Sequence, residues 1–126
     1  MNRLLVSFSG GRTSGYMTWR ILQEWRDRYD EIVVLFANTG CEHEKTLEFV
    51  HNCDKHFGFN TVWVEAEVVH ELGIGNNFKV VDFDTAARDG KPFEESIAKY
   101  GIPNKAWPWC TDRLKMVPQR KYIRSI

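Results

Sequence analysis

The chain has 126 residues, 43% of them hydrophobic and 27% charged, which is a composition typical of one globular domain. Seventeen lysines and arginines balance seventeen aspartates and glutamates, so no net charge attracts nucleic acid or an anionic membrane, and we expect neither as a partner. The three cysteines form no disulfide framework, and the first apolar run is too short for a signal peptide or a spanning helix. These features exclude a disulfide-rich secreted scaffold and predict a cytoplasmic protein.

The first half of the chain alternates predicted strands and helices. An apolar run at 3–8 predicts a strand, the glycines after it predict a tight turn, and apolar side chains at helical spacing predict a helix over 14–29. A second strand follows at 31–36, a second helix at 43–57, which Gly58 ends, and a third strand at 61–65. This order predicts an α/β fold built on an open parallel sheet with helices on both faces.

The second half begins with weaker signals. An extended segment is predicted over 78–83. A helix is predicted over 93–100, because Pro92 suits the first turn of a helix and Gly101 suits the residue after its end.

The last part of the chain is basic and begins with a tryptophan-rich loop. Trp107 and Trp109 either stack on a ligand or fill an edge of the core. A final helix is predicted from about Cys110, and Pro118 caps, kinks or restarts it. Its lysines and arginines suit a bound polyanion or a solvated helix face.

The turn between the first strand and the first helix carries the clearest chemistry. Its glycines allow the backbone to approach a ligand closely, its hydroxyls and its arginine can bind an anion, and the N–H groups at the helix start face the same space. A strand before and a helix after are the context that such a phosphate site needs. The alternative is a simple bend in which the last serine caps the helix. The turn consists of Ser9, Gly10, Gly11, Arg12, Thr13 and Ser14.

Three blocks of the sequence resemble one protein family. The turn 9–14 is similar to the SGGxxS pyrophosphate-binding loop (PP-loop) of the adenine nucleotide alpha-hydrolase superfamily, and its flanks look like the phosphoadenosine phosphosulfate (PAPS) reductase family. Residues 36–40 with Glu44-Lys45-Thr46 resemble the Asp-Thr-Gly and Glu-Thr segments of that family. Residues 110–118 resemble its Cys-Thr-x-x-Leu-Lys-x-x-Pro block, especially in phage-borne and unassigned members.

The resemblance implies a Rossmann-like fold and an adenine nucleotide, either PAPS, adenylyl sulfate or ATP, at the carboxyl ends of the first two strands. It implies that backbone groups hold the adenine, that the turn holds phosphate or sulfate, and that two cations reach the anionic end of the nucleotide. These are Ser7, Phe8, Asn38, Thr39 and Gly40 for the adenine, residues 9–14 for the anion, and Arg113 and Lys115 for the anionic end.

The sequence departs from the family at several of these positions. Asn38 replaces the usual aspartate, and Thr13 stands where many ATP-cleaving relatives carry an aspartate suited to Mg²⁺. Mg²⁺ stays open as a companion of the nucleotide, but we expect no tightly bound cofactor. Cys110-Thr111 replaces the Cys-Cys pair of iron–sulfur relatives, so we expect no cluster.

Two sets of side chains have competing interpretations. Cys110 at a helix start, with cations nearby, is a candidate nucleophile, although packing is the more common role of such a cysteine, and Cys41 is weighed in the same way. A metal site is not expected from the histidines and the cysteine near the second helix, because their spacing matches no zinc signature. These are His43, His51, Cys53 and His56.

The sequence therefore predicts a single adenine-nucleotide-binding domain over residues 1–126, which is either naturally short or lacks a C-terminal part. If it is an enzyme, it is a sulfonucleotide reductase or transferase that uses a thiol reductant, or an adenylating ATP pyrophosphatase. The alternatives are a non-catalytic module that sequesters nucleotide, and a structural domain with a vestigial turn. A missing segment would leave a sheet edge that favours self-association into a homo-oligomer.

Overall fold

The computed structural model describes residues 2–40, 42–69, 76–101 and 112–126, without the side chains of Phe93, Asp112 and Arg113. Four strands and four helices fall in these ranges. The strands are β1 Arg3–Ser7, β2 Glu31–Asn38, β3 Val62–Glu67 and β4 Asn77–Val81. The helices are α1 Arg12–Glu24, α2 Glu44–Phe57, α3 Lys91–Tyr100 and α4 Val117–Ser125, with a 3-10 turn at Arg26–Arg28 and a π-helical turn at Asp112–Met116.

These elements confirm the predicted elements that lie in the described ranges, with boundary shifts of a few residues, but the first helix ends at Glu24 and not at 29, and a 3-10 turn follows it. Gly58 ends α2 in the left-handed conformation, with φ of 65°, and its N–H donates to the Asp54 carbonyl, as a C-terminal glycine does. Pro118 lies in the first turn of α4, directly after the π-helical turn, so it restarts the helix. The reason is that proline offers no N–H to the carbonyl four residues earlier.

The chain divides into two compact units, and the first comprises residues 1–36 and 43–62. Here β1 pairs in parallel with β2, in a register from Arg3 opposite Glu31 to Ser7 opposite Leu35. The core is apolar, and the Phe8 ring packs edge-on against Phe49 and Phe59, with centroids 6.2 and 5.7 Å apart. Fully enclosed aromatic side chains of this kind supply much of the burial energy of a small unit.

Helix α1 buries only part of the apolar face that its sequence indicates. Its buried residues are Gly15, Thr18 and Leu22, whereas Met17 is 44% exposed. The cause is close packing, because a Cβ on Gly15 would lie 3.1 Å from the Phe49 ring. A small residue lets the two helices approach, and this approach decides the orientation of α1.

The second unit comprises residues 37–42 and 63–126. Strands β3 and β4 pair antiparallel, from Trp63 opposite Val81 to Glu67 opposite Asn77. Leu114 is 1% exposed and packs with Ala66, Ile97 and Tyr100. The π-helical turn thus contributes the apolar side chain that anchors the last helix to this unit.

All four strands belong to one open mixed sheet, in the order β1-β2-β3-β4. The predicted all-parallel sheet is therefore wrong for its last strand, which runs antiparallel to β3. The segment predicted only as extended, 78–83, forms strand β4. It pairs antiparallel with the backbone of β3, and such pairing needs no crossover helix. Among the described residues, no helix is both long and apolar enough to span a membrane.

Candidate functional site

The glycine-rich turn after β1 has the backbone of a tight, unobstructed loop. Gly10 has φ of +86°, a backbone conformation that residues with a side chain rarely adopt. Gly11 is the N-terminal cap residue of α1, and no side chain caps this helix. The first helical hydrogen bond runs from the Gly15 N–H to the Gly11 carbonyl, 2.9 Å. The amide N–H groups of Arg12, Thr13 and Ser14 belong to the first turn, which lacks intrahelical partners.

The two serines of the turn bind each other. Their hydroxyl oxygens lie 2.7 Å apart, and the Ser9 N–H donates to the Ser14 hydroxyl over 3.2 Å. The Gly11 N–H donates to the Ser9 hydroxyl over 3.4 Å. Because α1 begins at Arg12, Ser14 lies inside the first turn, so the predicted helix cap at Ser14 is wrong and Gly11 takes the capping position. The pair holds the turn closed and leaves both hydroxyls exposed at its surface.

A cavity of about 270 Å³ adjoins this turn, and we call it the loop cavity. Two exposed cationic side chains, Arg12 from α1 and Lys45 from α2, belong to its lining. No acidic residue occupies the first turn of α1, so the positive end of the helix dipole is uncompensated there. The lining residues are Gly10, Gly11, Arg12, Lys45, Thr46 and Phe49.

Gly10 is required by packing as well as by conformation. A Cβ at this position would lie 2.7 Å from Thr46 Cγ2, 3.2 Å from Phe36 Cε1 and 3.3 Å from Val50 Cγ2. Such distances leave no space for any side chain. The turn therefore sits directly on the first turns of α2, which is how Lys45 and Thr46 come to line the loop cavity.

The second predicted segment, Asn38 to Gly40, lies in the other unit and is held by a buried polar network. Asn38 is fully buried, and its amide group donates to Glu65 Oε2 over 2.5 Å and to the Ala87 carbonyl over 2.9 Å. The Gly40 N–H donates to Asn38 Oδ1 over 3.4 Å. The side chain of Asn38 is thus fully used in ordering this loop.

Glu65 is the residue of this network that sequence reasoning missed. It ends the predicted third strand, where a glutamate is expected to face water, but it is 1% exposed. Its Oε2 also accepts from the Ala87 N–H over 2.6 Å, and Lys79 Nζ lies 3.9 Å from its Oε1. The available signal was the alternation of β3, which places Glu65 on the same face as Trp63.

The structure places the remaining predicted residues as follows. Ser7, Thr13 and Lys115 are exposed, and Thr39 is half-buried. The Phe8 side chain is in the core, and its N–H donates to the Leu35 carbonyl over 2.8 Å. The side chain of Arg113 and all of Cys41, Trp107, Trp109 and Cys110 lie outside the described residues.

The histidines and the cysteine of the second helix have separate surroundings. His43 Nδ1 accepts from the Lys45 N–H over 3.0 Å, so His43 caps α2. Cys53 is 2% exposed, and burial, assisted by the nearby Asp54 carboxylate, raises the pKa of its thiol. His56 is exposed. No group of three metal-ligating side chains occurs among the described residues.

Sequence comparison finds relatives in a phage and in an archaeon. An uncharacterized nin region protein of Escherichia phage lambda is 38% identical over 121 residues, which cover 94% of this chain and 41% of the relative. Two uncharacterized proteins of Methanocaldococcus jannaschii are 26% and 28% identical over 122 and 120 residues, or 97% and 95% of this chain. The chain spans about two fifths of the phage relative and about one fifth of the archaeal ones. No protein-family model matches the chain, and no solved structure matches it.

Proposed function

We propose that the chain binds an adenine nucleotide and holds its phosphate or sulfate end in the loop cavity. The observation that carries this proposal is the coincidence of a bare helix N-terminus with two cationic side chains, Arg12 and Lys45, around one cavity. A helix N-terminus carries roughly half a positive charge, and oriented N–H groups bind tetrahedral anions without reorganisation. The serine pair adds two hydroxyl groups at the same turn.

The volume of the loop cavity favours one part of a nucleotide, its phosphate or sulfate group, over the whole molecule. Small-molecule sites usually measure roughly 300–1,000 Å³, and the loop cavity, at about 270 Å³, is just below that range. We therefore propose that the phosphate or sulfate end occupies it and that the base lies outside it.

The chemistry proposed for the loop cavity is binding. Its lining, all of it described, contains no carboxylate, so these residues do not fit a protein-held Mg²⁺, and any Mg²⁺ would arrive with the nucleotide. Thiol chemistry needs a reactive cysteine, and the one free cysteine in the described part of the chain, Cys53, is buried with a raised pKa. We therefore propose a nucleotide-binding, Rossmann-like PP-loop unit in a reducing, cytoplasmic setting. Product analysis decides whether it also has reductase or transferase activity.

The test is calorimetric titration of the reduced protein with PAPS, adenosine 3′,5′-bisphosphate and ATP plus Mg²⁺. Arg12→Gln and Lys45→Gln each remove one cation from the loop cavity, and both residues are exposed, so folding should survive. Charge-assisted hydrogen bonds contribute about 1.5–3 kcal/mol, so each variant should bind roughly 10-fold or more weakly. Product analysis of the same mixtures, with a thiol reductant present, detects turnover.

The matched control is Lys55→Gln, which removes an exposed cation from the last turn of α2, away from the cavity lining. It should bind as the unchanged protein does. Equal weakening by Lys55→Gln would assign the effect to general charge, and the absence of heat with all three nucleotides would refute the nucleotide site. Tight binding without turnover would favour the sequestering module over an enzyme.

A further inference from the structure

A second cavity lies entirely within the second unit, and we call it the Glu65 cavity. Its volume is about 170 Å³, which is equivalent to the liquid volume of a handful of water molecules at ~30 Å³ each. Strand β3 supplies one wall, Lys79 of β4 a second, and the start of α3, with Lys91 and Pro92, a third. It shares no lining residue with the loop cavity.

One oxygen of Glu65 has no hydrogen-bond partner in the part of the chain that the structure describes. Glu65 is 1% exposed, and its Oε2 accepts from both Asn38 and Ala87. Its Oε1 accepts no hydrogen bond from any described residue, although Lys79 Nζ lies 3.9 Å away. That separation is too long for a direct hydrogen bond. A buried carboxylate oxygen without a donor is unfavourable, so this oxygen marks a place where a ligand gains affinity by donating a proton.

The charges around the cavity are of both signs, and Lys91 Nζ lies 3.7 Å from Glu95 Oε1. A simple ion matches only one of the two groups at the gap, Glu65 Oε1 or Lys79 Nζ, whereas a neutral ligand with a donor and an acceptor matches both. Such a ligand can donate to Glu65 Oε1 and accept from Lys79 Nζ, provided that its donor and acceptor atoms are neighbours, since the gap is 3.9 Å.

We propose that the Glu65 cavity binds a neutral, planar nitrogen heterocycle with an amino group next to an unprotonated ring nitrogen, the edge that adenine presents. The amino group donates to Glu65 Oε1 and the ring nitrogen accepts from Lys79 Nζ. Ala87 and Pro92 line the same cavity and offer small apolar surfaces to a ring. This site stands apart from the anion site, because it requires neither phosphate nor the residues of the loop cavity.

Glu65→Gln is a sharp variant for this proposal. The amide oxygen of glutamine can take the place of Oε2 and keep both bonds, from Asn38 and from Ala87. Its amide nitrogen then takes the place of Oε1. Because this nitrogen is a donor, the ligand's amino group loses the acceptor that Oε1 provides. Lys79→Met removes the other contact, and because it also takes a cation from beside the buried Glu65, the stability of this variant is measured by urea unfolding before the titration.

The experiment is titration of the full chain with free adenine, followed by calorimetry and by NMR chemical shifts in phosphate-free buffer. Purine is the matched probe, because it lacks the amino group and keeps the ring nitrogen next to that position. Adenine should bind, purine should bind at least 10-fold more weakly, and Glu65→Gln and Lys79→Met should weaken adenine binding at least 10-fold and several-fold, respectively. Lys55→Met, which alters a lysine outside the cavity lining, should change nothing.

The outcomes separate this site from the anion site. Arg12→Gln should leave free adenine binding unchanged, since adenine carries no phosphate. Absence of adenine binding to the folded, unchanged protein overturns the proposal, as does equal affinity for purine, which would indicate stacking without recognition of the amino group. If Glu65→Gln does not fold, the purine comparison and Lys79→Met decide the question by themselves.

Discussion

Gly10→Ala should destabilise the protein far more than Gly58→Ala, although both glycines have positive φ, +86° and +65°. The shared backbone penalty of a left-handed alanine is about 1–2 kcal/mol, and both changes reduce unfolded-state entropy alike. The difference is steric. A Cβ at Gly58 meets nothing within 4 Å, whereas at Gly10 it lies 2.7 Å from Thr46 Cγ2.

The steric part can be given a magnitude. Phe36 and Val50 stand behind the new methyl group at 3.2 and 3.3 Å, and both are fully buried, so Thr46 has little room to move away. Overpacking of this kind costs about 1–3 kcal/mol, so Gly10→Ala should cost about 2–5 kcal/mol in total and Gly58→Ala about 1–2 kcal/mol.

Urea unfolding followed by tryptophan fluorescence measures this difference. With an m-value of about 2 kcal/mol/M, the midpoints of the two variants should differ by roughly 0.5–1.5 M. Losses that agree within about 0.5 kcal/mol would refute the reasoning, because they would mean that the turn can move away from α2 at little cost.

Two further outcomes are expected. Asn38→Asp should lower the free energy of unfolding by about 2–4 kcal/mol, because it puts a second carboxylate 2.5 Å from Glu65 Oε2 and removes the two hydrogen bonds that the Asn38 amide donates. A loss below about 1 kcal/mol in urea unfolding would contradict the importance of this network. Burial raises the pKa of Cys53, so the folded state keeps the proton that the unfolded state releases, and stability should fall as pH rises through the unfolded pKa of ~8.5. Cys53→Ala should lose less stability between pH 7 and pH 9.5 than the unchanged protein, and parallel losses would contradict this cause.

The local elements could be predicted from the sequence because their signals are local. Apolar runs, helical spacing and glycines at chain reversals lie within a dozen residues of one another, and they indicated β1, α1, β2, α2 and β3 in order. The direction of β4 could not be read in this way. Antiparallel pairing with β3 depends on a partner strand, not on the composition of the segment itself.

The glycine-rich turn was visible in the sequence, since Ser9, Gly10 and Gly11 stand between a strand and a helix, which is the context that the proposed anion site needs. What completes the site was decided by packing. Lys45 reaches the loop cavity because α2 lies against Gly10, and Glu65 is buried because Asn38 and Ala87 bring donors to it from distant parts of the chain. A sequence pattern predicts which residues are solvent-exposed. Only the tertiary structure decides which polar groups gain the hydrogen-bond partners that allow them to be buried.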